Sequence, residues 1–178
     1  GFPARLVVPG WTGTYWMKQL TDIDVRTTAQ GGFWMNPAYR LPAGRFPNAD
    51  RFPTQETQAN TPITDIVVSS LVTSIRDGAR FRPGQSVDVS GIAWDGGRGI
   101  REVQVSTDAG QTWQASQLGR DYGRFSFRQF SYRFKPAKDG VYLVMVKAFN
   151  NPGDAQTMDL VHNPAGYHHN VVHSISLT

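Results

Sequence analysis

The sequence predicts an all-β protein whose larger part is a sandwich of two sheets. After Pro62, short runs that alternate apolar and polar residues follow one another, as expected for strands with one buried face. Pairs of turn-forming residues such as Asp77-Gly78 and Asp139-Gly140 separate these runs. No stretch repeats apolar residues with the period of a helix, so we predict no α-helix.

Residues 1–26 are predicted to form a strand, a tight turn and further strand. Residues 5–8 are a short apolar run, and two glycines follow in residues 9–13, where backbone can approach a ligand closely. Arg5 and Lys18 flank this turn, and such a pair of cations suits an anionic group such as a phosphate. An ordinary edge strand with two solvated cations fits the same pattern, and spacing alone favours it.

Residues 27–61 are predicted to be an irregular but ordered connector. Four prolines occur within it, at positions 37, 42, 47 and 53, and Pro62 follows directly; together they exclude a helix or a central strand. The same stretch is too rich in aromatic residues for a solvated linker, because it contains Phe33, Trp34, Tyr39, Phe46 and Phe52. We expect it to dock on neighbouring surface.

Residues 62–178 are predicted to form an immunoglobulin-like sandwich. Seven strands at this spacing, with glycine-containing turns between them, are typical of that fold. The predicted strands are residues 66–75, 86–94, 100–107, 112–118, 124–134, 141–149 and 171–177. Between Ser106 and Trp113 we predict a β-hairpin in which Asp108 bonds the turn backbone, Gly110 has a positive φ and Trp113 covers the turn.

The predicted strand 124–134 places an arginine in an apolar row. Alternation places Arg128 on the same face as Ser126, Phe130, Tyr132 and Phe134, and places Arg133 on the opposite face. A guanidinium in an apolar row needs a partner, since a buried unpaired charge costs several kcal/mol. A salt bridge or a cation–π contact within the sandwich would satisfy it.

The four histidines cluster near the end of the chain, at positions 162, 168, 169 and 173. Pro164, Gly166 and two β-branched valines favour a strand there, on which His169 and His173 would lie about 13 Å apart. That distance is too long for two ligands of one ion. We therefore predict structural histidines and no metal site.

Composition excludes several classes of function. The net charge is +4 with a sequence pI near 9.6, and 14 of the 18 basic residues are Arg, which favours recognition of planar oxyanions. The arginines are scattered and no nucleic-acid-binding motif occurs, so we predict no nucleic-acid partner. No apolar run is long enough for a membrane helix, and without Cys the chain has no disulfide or thiol chemistry.

Segments spread along the whole chain resemble the sulfite oxidase and sulfite dehydrogenase family. They are Gly1-Phe-Pro-Ala-Arg5 with Val8-Pro-Gly10 and Lys18, then Gly91-Ile-Ala-Trp94, then residues 103–113, and a closing motif, Asn163-Pro-Ala-Gly-Tyr167 with Asn170 and His173. Gly32-Phe-Trp-Met-Asn-Pro-Ala-Tyr39-Arg40 is most similar to bacterial sulfite dehydrogenases that pass electrons to a cytochrome c. The chain departs from the family at His162 and Val172, where Trp is usual.

The resemblance implies a molybdenum–molybdopterin enzyme that oxidises sulfite to sulfate and passes electrons to a c-type cytochrome in the periplasm. It implies that Arg5, Trp16, Met17 and Lys18 hold the pterin and its phosphate, and that Arg128 binds the substrate oxyanion. It also implies that residues 1–26 are the end of a molybdopterin-binding domain and that residues 62–178 are a dimerisation domain.

The family's molybdenum-ligating cysteine is absent from these 178 residues. We therefore expect the chain to be the C-terminal part of a longer enzyme, with the rest of the molybdopterin domain, a cytochrome c and a second copy as partners. The alternative is a non-catalytic immunoglobulin-like module for dimerisation or docking.

Overall fold

The computed structural model describes residues 1–44, 59–162 and 165–178. Within these ranges the protein is all-β, as predicted, with one 3₁₀ turn at Gly13–Tyr15 and no α-helix. No helix in these ranges has the length and apolar character needed to span a membrane. Parts of the predicted connector and of the closing motif lie outside the described residues: Phe46, Pro47, Phe52, Pro53, Asn163 and Pro164.

The chain divides into two compact units. The first unit comprises residues 1–67 and 161–169, and the second comprises residues 68–160 and 170–178. The small core of the first unit is formed by Leu41, Ile63 and Val67, against which four partly buried residues pack: Tyr15, Tyr39, Val161 and Tyr167.

The strands predicted in residues 1–26 are largely wrong. The two predicted strands pair only through an isolated antiparallel bridge between Arg5 and Lys18. A hydrogen bond from Leu6 N to Met17 O at 2.9 Å lies beside this bridge. Ile23 and Val25 are 70 % and 97 % exposed and belong to no strand. Alternation of side chains is not sufficient for a strand, because the backbone also needs a partner strand and none lies beside residues 22–25 among the described residues.

The predicted irregular connector is wrong where two short strands form, one in its middle and one at its C-terminal end. Strand β1 (Arg40–Pro42) pairs antiparallel with strand β2 (Asn60–Pro62), with Leu41 opposite Thr61. Both prolines lie at the ends of these three-residue strands, so neither removes an N–H group from the middle of the ladder. The pairing therefore tolerates a proline content that excludes a longer strand.

The second unit is a sandwich of two four-stranded antiparallel sheets, as predicted. In chain order its strands are β3 (Ser69–Val72), β4 (Val87–Trp94), β5 (Ile100–Ser106), β6 (Gln114–Ala115), β7 (Gln117–Leu118), β8 (Arg128–Phe134), β9 (Tyr142–Asn150) and β10 (His173–Leu177). One sheet has the order β3-β4-β8-β7 and the other has the order β10-β9-β5-β6.

The core between the sheets follows the alternation of the strands. Buried residues alternate with less buried ones along β4 and over most of β9, and in β5 the alternate residues Val103 and Val105 are buried. Most of these buried residues are valine, whose branched side chain suits a pleated surface. The fully buried valines are Val89, Val103, Val105, Val144 and Val146. Phe130 of β8 fills the same core at 2 % exposure.

Gly91 allows β3, β4 and Phe130 to approach one another. A Cβ atom at Gly91 would lie 2.0 Å from the carbonyl oxygen of Leu71 and 2.6 Å from the Phe130 ring. Because real Cβ atoms do not come that close, any other residue would separate β3 from β4.

Three predicted strands differ clearly from the observed ones, and the first of them, residues 66–75, is reduced to β3 (Ser69–Val72). Residues 112–118 form β6 and β7 in different sheets, because the chain changes sheets at Ser116, whose N–H and hydroxyl both donate to Val103 O. Strand β8 begins at Arg128, four residues later than predicted, because residues 123–126 form a turn closed by Ser126 N and Gly123 O at 3.0 Å. Ser126 therefore does not share the strand face of Arg128.

The hairpin between Ser106 and Trp113 is confirmed. The Asp108 carboxylate accepts hydrogen bonds from Ser106 Oγ, Thr112 N and Thr112 Oγ1, and Gly110 has a φ of 83°. The Trp113 indole covers the turn and donates to Gly110 O at 3.1 Å.

Candidate functional site

The first candidate group brings Arg5 and Lys18 together. Their backbones form the antiparallel bridge that closes the loop containing the 3₁₀ turn. The two residues are therefore paired directly opposite each other in space. Both residues are exposed, and neither forms an ion pair with an acidic residue in the part of the chain that the structure describes. Two unpaired cations beside each other are suited to bind a phosphate group.

The other two predicted cofactor residues follow the turn. The indole of Trp16 donates to Val8 O at 2.9 Å, so the ring is fixed against the backbone that leads into the turn. Met17 is 48 % exposed and lines an apolar cavity of about 270 Å³ with Tyr15, Trp34 and Tyr39. The structure thus brings all four predicted cofactor residues into one short segment of the first unit.

Tyr15 is the residue of this cavity with a perturbed pKa. Burial raises the pKa of its phenol above the usual value, while the positive charge of Arg40 acts in the opposite direction. Its ring packs edge-on against Trp11 with centroids 5.3 Å apart. The cavity is therefore lined by neutral aromatic surface.

The second candidate group is centred on Arg128, at the start of β8 in the second unit. The side chain is 21 % exposed, and Nη1 lies 2.7 Å from Oδ2 of Asp121. The Nε atom is buried without a hydrogen-bond partner. The salt bridge anticipated from the sequence is thus present, and it leaves part of the guanidinium unsatisfied.

The loops beside Arg128 are held by backbone hydrogen bonds. Oδ1 of Asp95 accepts three backbone N–H groups, those of Gly97, Arg98 and Gly99, and Oδ2 of Asp95 is buried without a partner. Arg124 Nε donates to Gly97 O at 2.9 Å, and the Arg124 guanidinium lies 4.9 Å from the centre of the Phe125 ring. The Phe125 ring in turn covers Gly97, where a Cβ atom would lie 2.3 Å from it.

Aromatic side chains border the same loops. Phe127 packs edge-on against Trp94 with ring centroids 5.8 Å apart, and Phe125 and Phe127 are about half exposed. Along the chain, Arg128 therefore follows two partly exposed phenylalanines and precedes the buried Phe130.

The sequence interpretation missed Asp121 and Asp95. The signal for Asp121 was the sequence Asp121-Tyr122-Gly123, since Asp followed two residues later by Gly is typical of a turn in which the carboxylate caps the backbone. Gly123 N donates to Asp121 Oδ1 at 2.8 Å, as such a turn requires. Asp95 had the same signal in Asp95-Gly96-Gly97.

The histidines form no metal site within the described residues, where no group of three potential ligands comes together. His173 accepts a hydrogen bond from Val72 N at 3.3 Å through Nδ1, which is the structural role expected for it. Burial lowers the pKa of His168 to about 4, so this imidazole is neutral at physiological pH.

Two known families match different parts of the sequence. Residues 60–178 match the family described as the Mo-co oxidoreductase dimerisation domain, and residues 1–34 match the oxidoreductase molybdopterin binding domain. The first match covers more than half of the chain. Together with the sulfite oxidase relatives below, the second match indicates a molybdenum–molybdopterin cofactor in the intact protein.

Several curated proteins are similar to the chain. Mitochondrial sulfite oxidase of Homo sapiens is 35 % identical over 119 residues, which are 66 % of this chain and 21 % of the human protein. Sulfite oxidase of Arabidopsis thaliana is 33 % identical over 125 residues, which are 70 % of this chain and 30 % of the plant protein. The chain thus spans between about a fifth and a third of the length of these relatives.

A solved structure confirms the fold. The sulfane dehydrogenase SoxCD from Paracoccus pantotrophus superimposes with a TM-score of 0.75 and 24 % identity, over 99 % of this chain and 44 % of that chain. The family matches cover residues 1–34 and 60–178, and the sulfite oxidase relatives point to the same family. The chain therefore belongs to the sulfite oxidase family, of which it contains the dimerisation domain and a segment of the molybdopterin-binding domain.

Proposed function

We propose that the chain is part of a molybdopterin-dependent sulfite dehydrogenase that oxidises sulfite to sulfate. The observation that carries the proposal is Arg128, a charged group that is only 21 % exposed and whose guanidinium is only partly paired, through the contact of Nη1 with Asp121. Substrate and product are compact oxyanions, which such a fixed guanidinium binds well. The sulfite oxidase relatives support the choice of sulfite.

The residues of the first unit fit a phosphate-bearing cofactor. Arg5 and Lys18 are adjacent, exposed and without acidic partners among the described residues, so an anionic group satisfies both charges. Trp16 and Met17 supply an indole fixed to Val8 O and an apolar side chain for the pterin. When bound, the molybdenum cofactor supplies the two-electron oxidation and the transfer of oxygen to sulfur.

Arg128 would orient the sulfite anion and stabilise the negative charge that remains on the oxygens as sulfate forms. The planar fork of an arginine can donate two parallel hydrogen bonds to an oxyanion, which fixes the orientation of the anion. Arg128 is only 21 % exposed, and a charge-assisted hydrogen bond at a partly buried group is stronger than one in water.

The test is kinetic and uses the intact, cofactor-loaded enzyme. Arg128→Lys keeps the charge but loses the planar fork, and should raise the KM for sulfite about tenfold; Arg128→Gln should raise it more. Each lost charge-assisted bond is worth about 1.5–3 kcal/mol. Molybdenum content should stay at the wild-type level in both variants.

Arg133→Gln is the matched control, because Arg133 is an exposed arginine of the same strand that pairs with Asp88 on the opposite face. Its KM for sulfite should equal that of the wild type. If Arg128 variants bind sulfite normally and lose only thermal stability, Arg128 is a structural ion-pair partner and the proposal is wrong.

The electron acceptor we propose is a c-type cytochrome. The support is the resemblance of residues 32–40 to bacterial sulfite dehydrogenases. Steady-state assays with cytochrome c and with oxygen as alternative acceptors decide the point. Sulfite-dependent reduction of cytochrome c without oxygen consumption is expected, and turnover with oxygen alone would contradict it.

We also propose that the intact enzyme is a homodimer located in the periplasm. The family match to a dimerisation domain supports the dimer, and the cytochrome-linked reaction supports the compartment. Light scattering of the purified protein should give twice the mass of one chain, and osmotic shock should release the activity. The alternative function, a non-catalytic docking module, predicts instead a purified protein that contains no molybdenum.

A further inference from the structure

The carboxylate of Asp121 occupies a donor of Arg128 that an incoming oxyanion would need. Its Oδ2 atom lies 2.7 Å from Nη1. The Nε atom on the other side of the guanidinium is buried, so a ligand from solvent cannot use it. Ligand and Asp121 therefore compete for the same exposed end of the side chain.

Asp121 is held where it can act on Arg128 without being buried. Its Oδ1 atom accepts the N–H of Gly123 at 2.8 Å, which fixes the carboxylate in the turn that precedes β8. The side chain of Asp121 is 66 % exposed, compared with 21 % for Arg128. An exposed carboxylate is rehydrated at little cost, so it can leave the guanidinium when an anion arrives.

We propose that Asp121 is a positioning residue that holds Arg128 in place when the site is empty and displaces the product anion from it. This inference rests on the proposed oxyanion role of Arg128. With Asp121 present, an anion must replace a carboxylate and then lie beside its negative charge. Asp121 therefore weakens the binding of sulfite and of sulfate alike, and it speeds the release of sulfate.

The test replaces Asp121 by Asn in the intact, cofactor-loaded enzyme. Asn keeps a side-chain oxygen for the Gly123 N–H and removes only the charge. The KM for sulfite and the inhibition constant of sulfate should both fall about fivefold, as expected for the loss of a competing surface ion pair. The turnover number should fall too, because sulfate leaves more slowly.

A binding measurement without turnover is the second readout. Calorimetric titration of the oxidised enzyme with sulfate at constant ionic strength should give a dissociation constant about fivefold lower for Asp121→Asn. Asp121→Glu restores the negative charge and should return both constants toward the wild type. If Asp121→Asn does not fold, Asp121→Ser, which keeps an acceptor for the turn, is measured in the same way.

Asp88→Asn is the matched control. Asp88 also pairs with an arginine of β8, Arg133, but on the opposite face of the strand, and it should leave KM and sulfate binding unchanged. A purely structural Asp121 would lower the melting temperature and leave sulfate binding unchanged or weaker, and this result would overturn the inference. Two results distinguish this inference from the proposed function. If Arg128→Gln weakens sulfate binding but Asp121→Asn does not tighten it, only this inference fails. If Arg128→Gln changes the binding of neither sulfite nor sulfate, the proposed function fails as well.

Discussion

The hydroxyl of Ser70 donates a hydrogen bond to Oε1 of Gln156, although the two residues are 86 positions apart. The same Oε1 atom accepts the N–H of Ala148 at 2.9 Å, and Nε2 of Gln156 donates to Val171 O at 3.1 Å. Ser70 belongs to β3 and Ala148 to β9, so the buried amide of Gln156 joins the two sheets. Its three partners would be left unsatisfied without it.

Gln156→Ala should therefore lower the free energy of unfolding by about 3 kcal/mol, because buried polar groups without partners cost about 1–3 kcal/mol each. Urea denaturation of wild type and variant measures the difference. Gln111→Ala, at an exposed position of the hairpin, should change it by less than about 0.5 kcal/mol. Equal stability of the Gln156 variant would mean that water replaces the amide.

The hairpin turn should depend on the charge of Asp108. Hydrogen bonds from Thr112 and Ser106 lower the pKa of its carboxyl from 3.8 to about 2. A carboxyl with a lowered pKa stabilises the folded state above its unfolded pKa, near pH 4, and that contribution disappears as the pH falls through about 2. Asp108→Ala should thus lower the melting temperature at pH 7.

The melting temperatures of wild type and Asp108→Ala should converge as the pH falls from about 4 toward 2. Asp139→Ala, in an exposed loop, is the control and should leave the melting temperature nearly unchanged. A constant difference across this pH range would show that the hairpin depends on the shape of Asp108 and not on its charge.

Local patterns were sufficient to predict the sandwich. Strands β4, β5 and β9 were predicted to within one residue at each end, because alternating valines and glycine-containing turns carry all the information that such strands need. The hairpin at Asp108 was predicted with its hydrogen bonds for the same reason. These features are set by residues close together in the chain.

Features that depend on distant residues were not predicted. The pairing of β1 with β2 joins Leu41 to Thr61 across a connector, and the sheet change at Ser116 depends on Val103. The ion pair of Arg128 was expected, but its partner was not, because a local turn at Gly123 brings Asp121 back to the start of β8. Because the predicted strand was extended through that turn, its alternation wrongly placed Ser126 on the same face as Arg128.

His168 should make stability depend on pH below neutrality. Burial lowers the pKa of its imidazole to about 4, so the folded state binds fewer protons than the unfolded state, where the pKa is near 6.5. The stabilisation is present above about pH 6.5 and is lost as the pH falls toward 4. His168→Asn, which tolerates the φ of 54° at this position, should flatten this dependence by about 2 kcal/mol.

The free energy of unfolding measured by denaturant between pH 5 and 7 tests this. His169→Asn, at the exposed neighbouring position, should keep the wild-type slope. Some slope should remain in the His168 variant, because burial also lowers the pKa of His173 against the opposing charge of Asp77. Identical slopes in the wild type and the His168 variant would contradict the prediction.

Arg5 and Lys18 should determine how much cofactor the intact enzyme retains. Replacing either residue by Met removes one cation but keeps a side chain of similar length and leaves the backbone bridge between them intact. The loss of a charge-assisted bond worth about 1.5–3 kcal/mol weakens phosphate binding by roughly one to two orders of magnitude. Molybdenum per chain, measured by elemental mass spectrometry, should therefore fall below about half of the wild-type value.

The same variants should keep the sandwich folded, because Arg5 and Lys18 are exposed and contribute nothing to its core. Circular dichroism checks this point on the purified proteins. Arg26→Met provides the matched control, since Arg26 is an exposed cation of the same unit that bonds Gln30, and it should retain full molybdenum. Wild-type molybdenum content in both the Arg5 and the Lys18 variants would refute the assignment of these residues to the cofactor. A loss of molybdenum in these two variants, but not in Arg26→Met, would show that the paired cations hold the phosphate of the cofactor.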